Sequence, residues 1–210
     1  MTRTRCLPLI AALALAGCDR AAPPVPHIDY ARSNTYGVVP FKDDAPANAA
    51  VAAADFPLSF VDHEGKPVDL GQYRGKKKVV LVVLRGMPRS ERGAFCPSCL
   101  AQTSSLMANQ KQFTARGAEL LVVFPGPSDR VGEFLTKATT QTPGEPARAF
   151  RVLLDRECRA CDRLGIRDDL AKPSTYILDT QGNLVYAYVG ETSTDRPSVK
   201  AILAQLDQAP

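Results

Sequence analysis

Two cysteines stand three positions apart in Cys96-Pro97-Ser98-Cys99, near the middle of the 210-residue chain. This spacing serves three chemistries: it can hold a metal ion, close a structural disulfide, or exchange electrons between thiols and disulfides. A second pair, Cys158 and Cys161, repeats the spacing. The sequence around each pair decides between these chemistries.

The first pair has the layout of a redox centre. Pro97 suits the first position of a helix, where its missing N–H costs nothing, so Cys96 is predicted at the helix N-cap. Unpaired backbone N–H groups and the helix dipole would stabilise a Cys96 thiolate and lower its pKa from about 8.5. Cys99 lies on the same side of the helix and less exposed, so it can displace a partner captured by Cys96. We therefore predict Cys96 as the catalytic nucleophile and Cys99 as the resolving cysteine, with no metal and no cofactor beyond the redox-active disulfide.

The second pair, in "DRECRACDRLGI", leaves three interpretations open. Cys158 and Cys161 form a possible second redox pair, a stabilising disulfide, or a zinc site with or without the first pair. Two such pairs can bind zinc tetrahedrally, but the separation of these two far exceeds that of a zinc ribbon. Because the helix around the second pair leads towards Pro173, we expect it to lie near the first.

Alternating strands and helices must position these residues. A hairpin is predicted over 58–70, and the β-branched run 78–84 is typical of a strand buried on both faces. Further strands are predicted over 119–124, 150–154, 174–178 and 184–189, and helices over 97–115, 157–164 and from Asp195 or Ser198 to near Leu206. The sequence thus predicts an α/β fold with a central mixed β-sheet flanked by helices.

The segments "VVLVVLRG", "CPSCLAQT" and "KPSTYILDTQGNLVYAYVG" resemble the redoxin group, the alkyl hydroperoxide reductase/thiol-specific antioxidant family of the thioredoxin-like superfamily. The resemblance covers about 56–206 and implies a thioredoxin-like fold with an N-terminal hairpin. It also implies that Pro173 follows a cis peptide bond opposite the cysteines and that Pro173 and Lys172 dock substrate. Its domain is expected over 56–210.

Within that group, the resemblance implies either of two enzymatic activities. One is thiol–disulfide exchange; the other is peroxide reduction, with Cys96 peroxidatic and Cys99 resolving. Peroxidases of the family carry Pro-x-x-x-Thr-x-x-Cys, whereas this chain has Arg89 and Gly93 at the matching positions, and Lys172 in place of a distant arginine. We therefore favour exchange. A metal-binding module of the same fold is a third alternative, which the two histidines, His27 and His63, support poorly.

The first residues have the pattern of an export signal. Arg3 and Arg5 precede a short apolar run, and Leu15-Ala16-Gly17-Cys18 resembles the lipobox of bacterial lipoproteins. We expect a signal peptide over 1–17, a lipid on Cys18, and an Ala/Pro-rich tether over 18–55. Asp19 resembles a signal for retention at the inner membrane, so the periplasmic face of that membrane is expected, with the outer membrane as the alternative.

Composition narrows the partners. The net charge is only +4, and the basic residues form no stripe, so nucleic-acid binding is not expected. Two close cysteine pairs fit an oxidising compartment. The expected partners are exported proteins or small molecules that carry thiols or disulfides, or a peroxide, with the membrane contacted through the lipid.

Overall fold

The computed structural model describes residues 32–33, 37–52, 56, 59–87, 95–139 and 151–210. The predicted signal peptide, Cys18, Arg89 and Gly93 lie outside these residues. Within them, no helix has the length and apolar character needed to cross a membrane.

The described chain forms nine strands and five α-helices. The strands are β1 (Arg32–Ser33), β2 (Gly37–Val38), β3 (Ser59–Asp62), β4 (Pro67–Asp69), β5 (Lys78–Val83), β6 (Ala118–Pro125), β7 (Arg151–Asp155), β8 (Ser174–Leu178) and β9 (Leu184–Val189). The helices are α1 (Pro97–Ala108), α2 (Gln110–Ala115), α3 (Val131–Thr139), α4 (Arg159–Arg163) and α5 (Val199–Gln208). The helix predicted over 97–115 is therefore two helices, with a break at Asn109.

Seven strands make one mixed sheet in the order β4-β3-β7-β6-β5-β8-β9. β5, β6 and β7 run parallel, and the outer strands are antiparallel to their neighbours. This arrangement confirms the predicted thioredoxin-like α/β fold with its β3–β4 hairpin. β1 and β2 pair separately.

Alternation along the central strands creates two cores. Val80 and Val82 of β5 belong to one apolar cluster, whereas Leu81 and Val83 belong to the other. Because successive side chains point to opposite faces of a sheet, these clusters lie on its two sides. α1, α2, α3 and α5 contribute to the first cluster, and α4 contributes to the second.

Part of the predicted tether is packed on the domain. Val39 and Ala45 are buried, and the Ala45 carbonyl accepts a hydrogen bond from the Tyr186 hydroxyl at 2.8 Å. Asn48 exchanges side-chain hydrogen bonds with the backbone of Val189 on the edge strand β9. This segment therefore covers the β9 edge of the sheet.

Candidate active site

Cys96 and Cys99 lie at the start of α1, which is the first helix after the buried strand β5. α1 begins at Pro97, with Cys96 as its N-cap residue, as predicted. Cys96 is partly exposed, whereas Cys99 is 2% exposed and packs in the first apolar cluster. A solute can therefore reach the Cys96 sulfur first.

The sequence interpretation missed the residue that dominates this site. Arg196 is fully buried, and its Nη2 lies 3.2 Å from the Cys99 sulfur and 3.9 Å from the Cys96 sulfur. Its Nη1 donates to the side-chain oxygen of Gln102, and its Nε donates to the Ser193 carbonyl at 2.9 Å. Gln102 follows Cys99 by three residues in α1, so both face the guanidinium.

The positive charge of Arg196 is balanced by the sulfurs of Cys96 and Cys99. In the part of the chain that the structure describes, its hydrogen-bond partners are two neutral oxygens and the two cysteines, with no carboxylate among them. A buried charge is costly unless an opposite charge accompanies it. The thiol pair is therefore the natural counter-ion of the guanidinium, as one thiolate.

The negative charge rests on the inner sulfur. Burial opposes ionisation of Cys99, but the hydrogen bond from Cys96, the charge of Arg196 and the backbone N–H of Gly86 together lower its pKa to about 5. The hydrogen bond to Cys99, together with burial and the charge of Cys99, raises the pKa of Cys96. One proton is shared along this hydrogen bond, so the low pKa belongs to the pair. Because Arg196 lies closer to the Cys99 sulfur than to the Cys96 sulfur, it favours the charge on Cys99, whereas the helix terminus favours it on Cys96 as predicted.

An N-terminal segment holds the Arg196 loop in place. The Arg196 carbonyl accepts from the Lys42 N–H at 2.9 Å, and the Lys42 carbonyl accepts from the Ser198 N–H at 2.8 Å. Lys42 also forms an ion pair with Asp195 at 2.8 Å. Ser198 caps α5 by accepting from the Ala201 N–H. The backbone on both sides of Arg196 is thus fixed.

Pro173 lies at the same end of the sheet as the cysteines. It precedes β8, whose Ser174 pairs with Val83 at the end of β5. The expected cis bond is wrong, because every peptide bond of the described residues is trans. Lys172 is exposed, and the cation that contacts the sulfurs is Arg196.

Gly190 allows the Pro173 segment and the Arg196 loop to meet. Its N–H donates to the Pro173 carbonyl at 2.8 Å, and a Cβ at this position would lie 2.1 Å from the Asp195 carbonyl oxygen. Only a residue without a side chain fits such an approach.

Replacing Gly190 with alanine should therefore displace the Arg196 loop. We expect the free energy of unfolding to fall by about 1–3 kcal/mol, because the new methyl group overpacks against backbone. Urea unfolding measures this. The matched control is Gly132→Ala in α3, where a Cβ meets nothing within 4 Å. Alanine there should raise the free energy of unfolding by up to about 1 kcal/mol, because it favours the helix more than glycine does. Equal effects of the two substitutions would contradict the close packing inferred at Gly190.

The second cysteine pair lies on the other face of the sheet. Cys158 and Cys161 belong to the second apolar cluster, so the sheet separates them from Cys96 and Cys99. The expectation that the pairs lie together is wrong, and they cannot share a zinc ion. No group of three or more histidine, cysteine or acidic residues able to hold a metal occurs among the described residues.

One sequence feature pointed towards Arg196 without identifying it. The stretch Asp195-Arg196-Pro197-Ser198 predicts the start of the last helix and belongs to a segment that resembles the redoxin group. An arginine followed by proline directly before a helix cap has a fixed backbone, which suits a residue that must be aimed. Nothing in the local pattern says that it is aimed at a cysteine about a hundred residues earlier.

Solved structures that are similar to this chain include peroxiredoxins. Peroxidoxin BcpB from Mycobacterium tuberculosis matches with a TM-score of 0.56 and 18% identity over 79% of this chain and 97% of its own. Xanthomonas campestris peroxiredoxin Q matches with a TM-score of 0.56 and 18% identity over 80% and 98%. A peroxiredoxin 6 mutant from Arenicola marina matches with a TM-score of 0.62 and 16% identity over 76% and 73%. These identities show a common fold.

Sequence comparison supplies the family. No curated protein matches the sequence significantly. The profile of the AhpC/TSA family, however, matches residues 49–187, which is more than half of the chain. This chain therefore belongs to the AhpC/TSA family and is a thiol-dependent oxidoreductase.

Proposed function

We propose that the protein is a thiol–disulfide oxidoreductase whose Cys96–Cys99 disulfide accepts electrons from substrate dithiols. The observation that carries the proposal is the contact of the buried Arg196 with both sulfurs. It stabilises the reduced, anionic pair, and a stabilised reduced form makes the disulfide a stronger oxidant.

The exposure of the two sulfurs gives the order of events. In the disulfide form, a substrate thiolate attacks the Cys96 sulfur, which is the one open to solvent. The S–S bond breaks, and Cys99 leaves as a thiolate beside Arg196; a thiol of low pKa is a good leaving group. The second substrate thiol then attacks the mixed disulfide and releases Cys96. The substrate loses two electrons and becomes a disulfide, and the protein gains the two electrons as its dithiol.

A route back to Cys96 exists within the pair. The proton on Cys96 can pass to Cys99 along their hydrogen bond, which generates the exposed thiolate without solvent. Cys96 can then attack a substrate disulfide, and Cys99 resolves the product. The same groups thus serve exchange in both directions, and the potential of the pair sets the direction.

Peroxide reduction is the second candidate, and Arg196 is the observation that favours it. A cation at the sulfurs can polarise the peroxide O–O bond as the thiolate attacks. The sulfur becomes a sulfenic acid, the peroxide oxygen that leaves takes up a proton, and condensation with the other thiol releases water. The sequence has Lys172 where peroxidases of the family carry a distant arginine. Arg196 supplies an arginine at the sulfurs instead.

The location of the protein belongs to the same proposal. The lipobox-like Leu15-Ala16-Gly17-Cys18 supports a lipid on Cys18, and Asp19 supports the periplasmic face of the inner membrane. A tethered oxidant there would act on proteins as they emerge from export. Palmitate labelling of the wild-type chain and of the Cys18→Ser variant tests the anchor, since the wild-type chain should be labelled and the variant should not.

Two assays of the full chain separate the candidate activities. One measures disulfide formation in reduced, unfolded ribonuclease A, and the other measures consumption of hydrogen peroxide with a dithiol as reductant. The proposal predicts that the oxidised protein transfers its disulfide to ribonuclease at least about tenfold faster than glutathione disulfide does. Rapid peroxide consumption without disulfide transfer would instead establish the peroxidase.

A further inference from the structure

A second acid–base thiol arrangement lies on the opposite face of the sheet. Asp155 ends β7, and its carboxylate accepts from the Ala160 N–H at 3.3 Å and from the Cys161 N–H at 3.1 Å. The Cys161 thiol also forms hydrogen bonds with Asp155 and with the Cys158 sulfur. Two thiols and a carboxylate therefore form one continuous hydrogen-bonded chain.

Burial makes this arrangement costly to maintain. Asp155 is 6% exposed and Cys161 is fully buried. Asp155 accepts backbone N–H groups at the start of α4, and its position beside the Cys161 thiol also allows it to accept and return the proton of an attacking cysteine. Buried titratable groups in such contact cluster at functional sites.

The backbone at Cys158 is strained. Its φ of 52° and ψ of 35° place it in the left-handed region, and it is the one non-glycine residue with positive φ among those the structure describes. Residues held in such conformations concentrate at functional sites. This conformation places Cys158 at the N-cap of α4, one helical turn before Cys161.

An open cleft borders the pair where β3 and β7 part. The two strands pair only at Val61 with Leu154 and at Asp62 with Leu153, and beyond Leu154 they separate. The resulting cleft has a volume of about 490 Å³ and includes Asp155 in its lining. The chain neighbours of Cys158, Glu157 and Arg159, also line it, whereas Cys158 itself is 3% exposed just behind this lining. This volume is typical of small-molecule sites rather than protein-docking surfaces.

The cleft is positively charged. Arg156, Arg159 and Arg163 line it, against Asp155 and a single exposed acid, Glu157, whose charge is paired with Arg159 at 2.6 Å. Arg167, which is paired with Asp162 at 2.8 Å, partly offsets the rise in the Cys158 pKa that burial causes. Anionic groups are therefore favoured at the mouth of the cleft.

We propose that Cys158 and Cys161 form a second redox centre, specific for a small disulfide that carries carboxylates and enters through this cleft. Cys158 loses its proton to water, and its thiolate attacks the ligand disulfide; a mixed disulfide forms, and one ligand thiolate leaves and takes up a proton. Asp155 takes the proton of Cys161, whose sulfur then attacks Cys158 and releases the second ligand thiolate, which is protonated. The ligand gains two electrons, and the protein loses them as a Cys158–Cys161 disulfide.

The experiment uses the full chain with Cys96→Ser and Cys99→Ser, so that its outcome is independent of the function proposed above. The reduced protein is mixed with glutathione disulfide (anionic), bis(2-hydroxyethyl) disulfide (neutral) or cystamine (cationic), and oxidised peptides are mapped by mass spectrometry. We expect the Cys158–Cys161 disulfide to form in the native protein, at least about tenfold faster with glutathione disulfide than with cystamine. Mapping the same peptides in the wild-type chain guards against a folding defect of the variant.

Further variants test the individual roles. Cys161→Ser should accumulate glutathione on Cys158, and Asp155→Asn should prolong that intermediate at least about tenfold. Arg156→Glu with Arg163→Glu should abolish the preference for the anionic disulfide. The matched charge reversal Lys111→Glu, in α2 on the other face of the sheet, should leave it unchanged.

Two results would overturn this proposal. If the pair reacts with every disulfide only after unfolding in urea, or is found as a disulfide that dithiothreitol opens only in urea, it is an inert structural feature. Equal rates with the three disulfides would show that the cleft does not select its ligand by charge.

Discussion

Replacing Cys96 with serine should lower both disulfide transfer and peroxide consumption by at least about a thousandfold. Cys96 carries the sulfur of the pair that is open to solvent, while Cys99 is 2% exposed. A serine hydroxyl neither forms a disulfide nor ionises near neutral pH, so the buried Cys99 would be left without an accessible partner. The loss is measured with the ribonuclease and peroxide assays.

Cys99→Ser is the paired variant, and its defect should differ in kind. Cys96 would still capture a substrate, but no internal thiol could resolve the product, so a mixed disulfide at Cys96 should accumulate. Non-reducing gels and mass spectrometry detect this species. Full activity of Cys96→Ser in either assay would show that the accessible sulfur is not the reacting one.

Arg196→Met should move the activity of the enzyme to higher pH. With Arg196 present, the pKa of Cys99 is about 5, so the pair is ionised at pH 7. Methionine keeps much of the side-chain volume but removes the charge, so the pKa should rise towards the ordinary value of 9.0. The lower thiolate fraction at pH 7 would then reduce the rate of attack by up to about a hundredfold.

The pH dependence of the rate distinguishes loss of the Arg196 charge from a general folding defect. The rate at which the reduced wild-type protein attacks a disulfide or a peroxide should change little between pH 6 and 8, whereas that rate should rise with pH in the variant and recover near pH 9. The reduction potential should fall, because the reduced form loses its stabilising cation. Arg196→Lys retains a charge and should lie between the two. A low rate at every pH would mean that Arg196 supports only the fold.

The sequence was sufficient for the fold because its signals are local. The apolar β-branched run at Lys78–Val83 predicted a strand buried on both faces, and Pro97 predicted the start of α1; both are confirmed. The hairpin was equally clear, since polar Asp62 ends β3, and its carboxylate accepts the N–H groups of Glu64 and Lys66. Such patterns lie within a few residues of each other.

The site was less predictable because it depends on distant contacts. The charge distribution over Cys96 and Cys99 depends on Arg196, which follows Cys99 by almost half the chain and reaches it because α1 and the loop before α5 lie on the same face of the sheet. The helix-terminus argument considered α1 alone and therefore placed the thiolate on Cys96. A buried cation overrides it, because charge interactions strengthen as water is excluded.

The second pair shows the same limit. Cys158 and Cys161 share the spacing of the first pair, and the course of their helix towards Pro173 predicted that the two pairs lie together. The order of strands decides otherwise: α4 follows β7 on the face of the sheet opposite α1. Which face a helix covers depends on the whole topology, and no feature of "CRAC" reports it.

Titration of the thiolate absorbance at 240 nm tests the ionisation of the first pair most directly. It uses the reduced chain in which the four other cysteines are replaced by serine (Cys6→Ser, Cys18→Ser, Cys158→Ser and Cys161→Ser), compared with the same chain that also carries Arg196→Met. The account predicts one thiolate at neutral pH with a midpoint about 5, and a midpoint several units higher without the guanidinium. Two protonated thiols at pH 7 in the chain that retains Arg196 would contradict it.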